Sequence, residues 1–390
     1  MTMSGDTFEG ALDGLRVVDF SQGVAGPNAA MMMARCGADV VKVEPPQGDW
    51  SRVLGESYGG DNPYAVTGNF GKRSVVLDMK TDEGLSAARR LAEGADIVVE
   101  AFRPGVMAKF GLDYATLATA NPGLIMLSIT GFGQTGPYRD LPATDTVLQA
   151  ASGFMHLNAD GTGRPRKLDL VIVDYLAGLH GFQMVLQSLL VRARTGRGRH
   201  LDCPLLQSAA SIQAVKALEE HLRGGPPRML YAPVGAFATS DGFVAVTVRL
   251  DSHFAALCRT LGCPDLVADE RFATLELRVQ NVTALDEALA PHFARWSRAE
   301  LAAALADAGV LNAAVNDYAA YVSDPHVTAV GMLQWIDHPR LGPIPVTPTP
   351  GLPAFAPGAA HSASPTLGEH TREVLEELGL SQGATAGNDG

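Results

Sequence analysis

The chain has 390 residues, 46% of them hydrophobic and 18% charged, and its formal net charge is −12. This is the composition of a globular protein, with a length that is generous for one domain and comfortable for two. The acidic balance argues against general binding to nucleic acid or to anionic membranes. The sequence contains no run of the roughly 20 apolar residues that a membrane-spanning helix needs.

The N-terminal residues and the cysteines indicate a reducing compartment. The segment MTMSGDTFEG is polar and lacks the charged and apolar regions of a secretory signal, so we expect a cytoplasmic protein. The four cysteines form no paired CxxC motif of the kind that binds zinc. We therefore predict reduced, mostly buried thiols and no metal site.

Short apolar runs alternate with helical segments through the first half of the chain. Helices are predicted at 26–36, with Pro27 in the first turn, and at 81–94, where Thr81 is the cap. Strands separated by helices of this length indicate a parallel sheet with helical crossovers. The strands are predicted at 15–20, 38–44, 74–79, 96–102, 124–130 and 199–206.

A smaller α+β domain is predicted at 229–330, after a linker at 224–228 that contains two prolines. Segment 235–248 is typical of a hairpin, with its turn at Asp241 and Gly242. The last of the helices that follow starts with the capping box Ser297–Glu300. These helices are predicted at 252–261, 280–295 and 297–308.

The C-terminal part of the chain has a different composition. The proline-rich segment 338–355 is extended in character. We expect residues 338–380 to return the chain to the large domain, which is predicted to span 1–223. The tail from 381 onward is small and polar, which predicts disorder.

The segment GFGQTG (131–136) fits the G-x-G-x-x-G pattern of dinucleotide-binding folds and follows a predicted strand. In those folds the glycine loop opens a helix, whose N-terminus holds the pyrophosphate. Here Pro137 and Pro142 follow, and they oppose a regular helix. We therefore interpret the segment as a loop that lets a ligand approach the backbone, and not as a nicotinamide or flavin site.

Asp174 is a carboxylate within a long apolar run, LVIVDYLAGLHG, that begins at Leu170. The whole run is too long for a strand, so we predict a buried helix. One interpretation is that Asp174 caps a helix that starts at Tyr175. The other is that a poorly hydrated carboxylate at a helix N-terminus attacks an activated acyl group. The run by itself leaves both interpretations open.

Further segments match one family pattern in order along nearly the whole chain. They are AGPNAAMMMARCGADVVKVEPPQGDWSR (25–52), KRSVVLDMKT (72–81), DIVVEAFRPGVMAKFGLDYATLATANPGLI (96–125), TGFGQTGPY (130–138), RARTGRGRHLD (192–202) and LGEHTREVLEELG (367–379). Together they resemble the class III CoA-transferase family, which includes formyl-CoA and carnitine CoA-transferases and is related to the α-methylacyl-CoA racemases.

The resemblance implies a doubly wound, Rossmann-like α/β domain, a smaller domain, and a homodimer whose chains interlock like linked rings. It implies that Asp174 attacks the donor acyl-CoA to form a mixed anhydride. CoA then converts this anhydride to an aspartyl-CoA thioester, from which CoA is transferred to the acceptor acid. The partners implied are an acyl-CoA and a small carboxylic acid. CoA is then a substrate, and no permanently bound cofactor, ATP or metal is required.

The resemblance also implies a CoA site, and within it Lys80, Arg103 and Lys109 suit the phosphates of CoA. Two positions depart from the family pattern: Ala101 replaces a common Asn, and Pro45 stands where some members have a basic residue. The family's site carries over to Val24, Ala25, Leu77, Lys80, Ala101, Phe102, Arg103 and Lys109, to which we add Arg52 as a further phosphate contact.

The related racemases carry a histidine at the position of Thr144, and threonine is not a base near neutral pH. We therefore prefer CoA transfer to racemisation or isomerisation at the α-carbon of an acyl-CoA. Another CoA-dependent activity, such as a lyase, and a non-catalytic subunit remain as alternatives. Asp145, which follows Thr144, either orients the CoA thiol, tunes Asp174, or caps a helix.

The sequence does not identify the acyl donor or the acceptor acid. Specificity in this architecture lies in loops near the nucleophile, partly from the second domain. Tyr231 to Gly235 and Arg249 are candidates because they flank the predicted domain junction.

Overall fold

The computed structural model describes residues 10–225, 228–355 and 363–380. The chain divides into two compact units, the first formed by Met1–Val215 with Met332–Gly390 and the second by Lys216–Gly331. The linker prolines Pro226 and Pro227 and the tail predicted to be disordered lie outside the described residues.

The first unit contains a six-stranded sheet in the order β3-β2-β1-β4-β5-β6. Every neighbouring pair of strands is parallel. The predicted parallel α/β sheet is thereby confirmed, with a strand order that reverses once, between β1 and β4. The strands are β1 (Arg16–Asp19), β2 (Asp39–Glu44), β3 (Arg73–Val76), β4 (Ile97–Glu100), β5 (Ile125–Thr130) and β6 (Arg199–Pro204).

Helices connect these strands, and several of them begin at side-chain caps. Thr81 accepts a hydrogen bond from the Gly84 N–H, as predicted, and Asp113 accepts one from the Thr116 N–H. The helices are α1 (Ala25–Arg35), α2 (Pro63–Thr67), α3 (Asp82–Glu93), α4 (Val106–Lys109), α5 (Tyr114–Ala120), α6 (Asp145–Ala151), α7 (Phe154–Leu157), α8 (Ile172–Thr195) and α9 (Leu205–Ser211), with a 3-10 turn at Trp50–Val53. The next helix, α10 (Ala214–Arg223), lies mostly in the second unit.

Apolar side chains cover both faces of the sheet. On β5, Ile125, Leu127 and Ile129 pack in the core shared with α1 and α8, whereas Met126 packs on the opposite face with α3 and α5. Alternate residues of a strand point to opposite faces, so a central strand with helices on both sides is apolar throughout. This explains why β5 appears in the sequence as an unbroken apolar run.

Helix α8 differs from the prediction in two respects. It begins at Ile172, with Val171 as its N-cap, so Asp174 lies in the first turn and does not cap the helix. The helix is also buried on one face only, since Leu179 and Leu190 on the other face are exposed. The apolar run therefore reflects a helix that packs on the sheet and presents a second apolar face to solvent in the single chain.

The second unit combines a three-stranded antiparallel sheet, in the order β7-β8-β9, with helices. The predicted hairpin is present, and Ser297 caps α14 through the Glu300 N–H as expected. Strand β9 was not predicted, because its four residues LNAA carry no alternating pattern. The elements are β7 (Val234–Ala238), β8 (Phe243–Thr247), α11 (Asp251–Leu261), α12 (Leu275–Gln280), α13 (Val282–Phe293), α14 (Arg298–Asp307), β9 (Leu311–Ala314), α15 (Tyr318–Val322) and α16 (Pro325–Ala329), with a 3-10 turn at Pro264–Val267.

The C-terminal segment belongs to the first unit. It forms the hairpin β10 (Gln334–His338) and β11 (Gly342–Val346) and the helix α17 (Thr371–Glu377). Arg73, at the start of β3, pairs with Glu373 at 3.0 Å and with Glu377 at 2.7 Å. These contacts hold α17 against the edge strand of the sheet. None of the described helices is both long enough and apolar enough to cross a bilayer.

Gly198, between α8 and β6, leaves no room for a side chain. A Cβ there would lie 1.7 Å from the carbonyl oxygen of Leu124. We expect Gly198→Ala to lower the free energy of unfolding by about 2 kcal/mol or more, because the backbone must move. At Gly161, in the same unit, a Cβ meets no atom within 4 Å, so Gly161→Ala is the control. Denaturant unfolding of both variants checks this, and equal stabilities would contradict it.

Candidate active site

Ligand sites in open α/β sheets lie at the carboxyl ends of the strands, where the strand order reverses. Here that point is between β1 and β4. A cavity of about 280 Å³ opens there. Its walls come from the loops after β1, β4 and β5, from the segment before α6 and from the first turn of α8. The topology alone makes this the first place to look for a functional site.

Most of the residues predicted to act together line this cavity. Asp174 and Asp145 approach it from α8 and α6, and Arg103 from the loop after β4. The predicted residues in its lining are Val24, Ala25, Ala101, Phe102, Arg103, Asp145 and Asp174. The cavity also contains Trp50 and Arg139, which the sequence did not single out.

The other four predicted residues lie outside this lining. The side chain of Leu77 is buried in the core, so only its backbone is available to a ligand. Lys80 and Lys109 are exposed, and Lys80 follows β3 at the same edge of the sheet. Their position is compatible with the outer part of an extended ligand.

Arg52 requires a correction. Its Nε and Nη2 donate to the two carboxylate oxygens of Glu44 at 2.6 and 2.8 Å, and it also contacts the carbonyl of Pro365. This bidentate ion pair is largely buried. Because the Glu44 carboxylate offsets the charge of the guanidinium, Arg52 is poorly suited to bind a phosphate. This pairing argues against a role for Arg52 in binding the phosphates of CoA.

The loop between β1 and α1 rests on a buried network of charges. Lys72 donates to Asp19 at 2.8 Å, and Lys42 donates to Asp49 at 2.7 Å. Asp49 in turn accepts the Gly23 N–H at 2.9 Å. Burial alone raises the pKa of Asp19, but the charges of Lys72 and Lys42 outweigh it and hold that pKa below its ordinary value. The network fixes the loop that carries Val24 into the cavity wall.

The glycine loop after β5 approaches the site through its backbone. A Cβ at Gly131 would lie 2.2 Å from the Cβ of Ala143, so only glycine fits this close approach. The next helix starts at Asp145, well beyond the loop. The loop therefore does not open a helix, and the interpretation of 131–136 as something other than a dinucleotide fingerprint is confirmed by this geometry.

Asp174 is a mostly buried carboxylate that lacks a hydrogen-bond partner. Among the described residues its backbone N–H is bonded, but its carboxylate oxygens accept no hydrogen bond. Burial raises the pKa of Asp174 to about 7, with a further contribution from the negative charge of Asp145. The positive end of the helix dipole acts in the opposite direction and favours the anion. Such a carboxylate is poorly solvated and open to the cavity.

The N-cap residue of α8, Val171, makes no side-chain capping bond, and Asp145 of α6 supplies that bond instead. Its Oδ2 accepts the N–H groups of Val173 at 2.7 Å and of Asp174 at 3.3 Å. Its Oδ1 accepts from Gln149 at 2.6 Å, and Gln149 also donates to the carbonyl of Leu170. Asp145 is thus both a helix cap and the charge that tunes Asp174. Gln149, four residues on, was missed, although its i, i+4 spacing to Asp145 was a usable signal.

Comparison with known proteins supports one family. The family model of CoA-transferase family III matches residues 12–371. The chain is 35% identical over 381 residues to Succinate–glutarate CoA-transferase of Agrobacterium fabrum, covering 94% of this chain and 95% of that protein. It is 35% identical over 391 residues to Succinyl-CoA–L-malate CoA-transferase beta subunit of Chloroflexus aurantiacus, covering 96% of each.

A solved structure is also similar over almost the whole chain. A CAIB/BAIF family protein from Brucella suis superposes with a TM-score of 0.85 at 36% identity. The match covers 95% of this chain and 100% of that chain.

The raised pKa of Asp174 makes a prediction about stability. An aspartate in the unfolded chain titrates near pH 3.9, whereas Asp174 in the folded protein has a pKa of about 7. Folding therefore takes up a proton between these pH values. As a result, the contribution of Asp174 to the free energy of unfolding falls as pH rises from about 4 to 7. Asp174→Asn removes the charge and should raise the free energy of unfolding by a few kcal/mol at pH 8. The gain should shrink towards pH 4.

Unfolding of wild type and variant at several pH values between 5 and 8.5 measures this effect. Asp169→Asn is the control, because the Asp169 carboxylate is exposed and forms a surface ion pair with Lys167. A gain from Asp174→Asn that is the same at every pH would contradict the assignment.

Asp145→Asn tests the second carboxylate. Three N–H groups now donate to the two carboxylate oxygens of Asp145, and an amide offers only one oxygen. We therefore expect the free energy of unfolding to fall by about 1–3 kcal/mol. The same change removes a negative charge beside Asp174, so the pKa of Asp174 should fall below about 7. A pH titration of Asp174 in the variant, followed by carboxyl chemical shift, reports this. An unchanged or higher pKa would show that Asp145 does not tune Asp174.

Proposed function

The chain belongs to CoA-transferase family III and is an enzyme of that type, and we propose that it moves CoA from an acyl-CoA to a free carboxylic acid through covalent intermediates on Asp174. One observation carries the proposal. The carboxylate of Asp174 lies in a cavity at the point of strand reversal, mostly buried and without a hydrogen-bond partner among the described residues. A structural carboxylate in such a place is normally paired.

The proposed reaction exchanges bonds in four steps that balance. An oxygen of Asp174 attacks the thioester carbonyl of the donor, the C–S bond breaks, and a mixed anhydride and CoA thiolate form. The thiolate attacks the Asp174 carbonyl carbon, which releases the donor acid and leaves an aspartyl-CoA thioester. The acceptor carboxylate attacks this thioester to give a new anhydride and CoA thiolate. The thiolate then attacks the acceptor carbonyl, which forms the new acyl-CoA and restores the carboxylate.

The surroundings of Asp174 suit this chemistry. With a pKa of about 7, a substantial fraction of Asp174 is ionised at neutral pH, and only the anion attacks. The hydrogen bonds from Val173 and Asp174 N–H to Asp145 fix the first turn of α8, so the nucleophile needs no rearrangement to reach the cavity. Each step exchanges one activated acyl bond for another, so no step requires ATP.

For CoA itself we propose a path along the carboxyl edge of the sheet. Val24, Ala25, Ala101 and Phe102 form the wall next to Asp174 and accommodate the thiol end. The outer, phosphate-bearing part then extends past three basic side chains and the backbone of a strand end. These residues are Arg103, Lys80, Lys109 and Leu77.

The acceptor that we propose is a small dicarboxylate. The two relatives named above are described as acting with succinate, glutarate or malate. In the present cavity Arg139 is a second cation besides Arg103, and its contact with Asp140 is loose, at 3.5 Å on the exposed surface. Arg139 can therefore pair with the distal carboxylate of an acid whose other carboxylate reacts at Asp174.

The alternative of α-carbon racemisation receives no support from the cavity. Thr144 lines it, but its hydroxyl caps α6 by accepting the Val147 N–H. Neither His156 nor His180 is among the lining residues. The residue that racemases use as a base thus has no substitute histidine here.

We further propose the homodimer that the family resemblance implies. Its support is the second apolar face of α8 and an apolar stripe on α10, where Val215, Leu218 and Leu222 are all more than half exposed. Their spacing places them on one side of the helix. Exposed apolar stripes of this kind are normally covered by another chain.

Trapping the intermediate tests the mechanism. Enzyme incubated with succinyl-CoA and then with hydroxylamine should carry a hydroxamate on the peptide that contains Asp174, and borohydride should reduce the same residue. The yield should rise as pH increases through about 7, because the anion is the nucleophile. Asp174→Asn should give no adduct, and Asp169→Asn, at an exposed aspartate five residues earlier, should give the wild-type yield.

Continued transfer without any adduct on Asp174 would overturn the covalent mechanism. Exchange of the α-proton with solvent, in the absence of transfer, would instead establish racemisation. In a chase, succinate and glutarate should discharge the thioester faster than acetate at equal concentration. An equal rate for acetate would contradict the dicarboxylate proposal alone.

A further inference from the structure

Gln149 is a completely buried amide in α6 that joins this helix to the start of α8. It lies one turn after Asp145, on the same face of the helix, and 0% of its surface is exposed. Its side chain makes hydrogen bonds in two directions, to Asp145 and to residues 168–170, which precede α8. It does not line the cavity at Asp174, so any effect on that site is exerted through other residues.

The first set of bonds holds the chain immediately before α8. Oε1 of Gln149 accepts the Leu168 N–H at 2.9 Å, and Nε2 lies 3.1 Å from the carbonyl oxygens of both Leu168 and Leu170. In the described parts of the chain, the backbone of residues 168–170 is bonded to no other side chain. Leu170 is 52% exposed, so packing contributes little to holding it. Gln149 is therefore the hydrogen-bonded anchor of this segment.

The second set of bonds fixes the carboxylate of Asp145. Nε2 of Gln149 donates to Oδ1 at 2.6 Å, while Oδ2 accepts the N–H groups of Val173 and Asp174. Donors on both oxygens determine the plane of the carboxylate, and the bond to Oδ1 leaves Oδ2 facing the first turn of α8. The backbone of Asp174 is thereby held in a fixed place, together with the side chain that lines the cavity.

The two sets of bonds require an amide at position 149. They use a donor towards Asp145 and an acceptor towards the Leu168 N–H at the same time. A Gln side chain has two N–H donors and a carbonyl oxygen, whereas an ionised carboxylate has no donor and a thioether is only a weak acceptor. The arrangement thus depends on the chemistry of the residue and not only on its volume.

We propose that Gln149 is a positioning residue for Asp174, which holds the Asp145 carboxylate in the orientation that caps the first turn of α8. The contacts run from Gln149 to Oδ1 of Asp145, and from Oδ2 to the N–H of Asp174. Without Gln149 the carboxylate can rotate away from α8 and the segment before the helix is released, so the nucleophile loses its fixed place. The inference deepens the proposed function, because the catalytic role of Asp174 belongs to that proposal.

Gln149→Met tests the inference, because Met keeps the length of the side chain and removes its donors and its amide oxygen. Hydrogen exchange resolved to single residues should become about tenfold faster than in wild type at the amides of Val173 and Asp174, since their acceptor is no longer held. Exchange at Val185, buried further along α8, should change far less. In steady-state kinetics kcat should fall about tenfold, whereas KM for the acyl-CoA should change little, because no wall residue of the cavity is altered.

Asn158→Ala is the matched control. The Asn158 side chain donates to the carbonyl of Arg166 at 3.1 Å, so it fastens the same connection between α6 and α8 without contacting Asp145. This variant should keep the wild-type exchange rates at Val173 and Asp174 and the wild-type kcat.

Gln149→Glu supplies a second test, which also serves if the Met variant fails to fold. A protonated carboxyl is similar in shape to the amide, donates one O–H to Asp145 and accepts the Leu168 N–H, whereas the anion repels Asp145. Exchange at Val173, compared with wild type at the same pH, should therefore be close to wild type at about pH 5 and become progressively faster towards pH 8.

The surroundings of position 149 determine this pH dependence. The titratable or charged groups on the neighbouring elements are Asp145 on α6, His156 on α7, Asp174 on α8 and Lys167 in the connection between α7 and α8. Helix α9, which packs against α6, carries no charged residue. Burial and the two aspartates raise the pKa of the introduced carboxyl, and Lys167, on the surface, offsets this only weakly.

Unchanged exchange at Val173 and Asp174 in a folded Gln149→Met variant would overturn the inference. The same acceleration in Asn158→Ala would overturn it as well, since loosening of the connection would then suffice. A Gln149→Glu variant whose exchange relative to wild type is independent of pH, or a rise in KM with kcat unchanged, would also contradict it. Hydrogen exchange does not require transfer activity, so a wild-type enzyme that forms no adduct on Asp174 would overturn the covalent mechanism and leave this test intact.

Discussion

The buried ion pairs beneath the β1–α1 loop are the constraint on which the site depends. Asp19 at the end of β1, Lys42 within β2 and Lys72 just before β3 are all buried, and loss of any one leaves an uncompensated charge at a cost of about 3–5 kcal/mol. Burial lowers the pKa of Lys72 to about 8 even with Asp19 beside it, so that lysine depends on the pairing to stay charged. The network thereby joins the strands to the loop that forms the cavity wall, and neither can shift alone.

Buried charges in this protein fall into two classes. Those of the network are paired and serve the fold. Asp174 is mostly buried, lacks an opposite charge and faces a cavity, so it weakens the fold. Strongly perturbed groups in clefts are where function is found. Asp145 links the classes, since its carboxylate caps α8 and also raises the pKa of Asp174, the nucleophile that we propose.

Much of the fold was predictable from local pattern. The strands β1 to β6 follow from short apolar runs, and the alternation with helices predicts a parallel sheet. The capped helices α3 and α14 follow from Thr81 and Ser297. Strand β9 was missed, because its sequence has no strand-like pattern and it is extended only through its pairing with β8. The second apolar face of α8 was mistaken for burial, since periodicity alone does not tell what covers a helix.

For the site, the sequence by itself singled out Asp174 as the proposed nucleophile and the loops that surround it. Asp174 in its apolar run, the glycine loop and the segment at Ala101–Arg103 are all recognisable in the sequence. Only the tertiary structure decided the state of these groups. It placed the cap of α8 on Asp145, nearly thirty residues earlier, and it paired Arg52 with Glu44. Electrostatic partners are chosen by proximity in space, and the order of residues along a chain does not encode the distances at which charges interact.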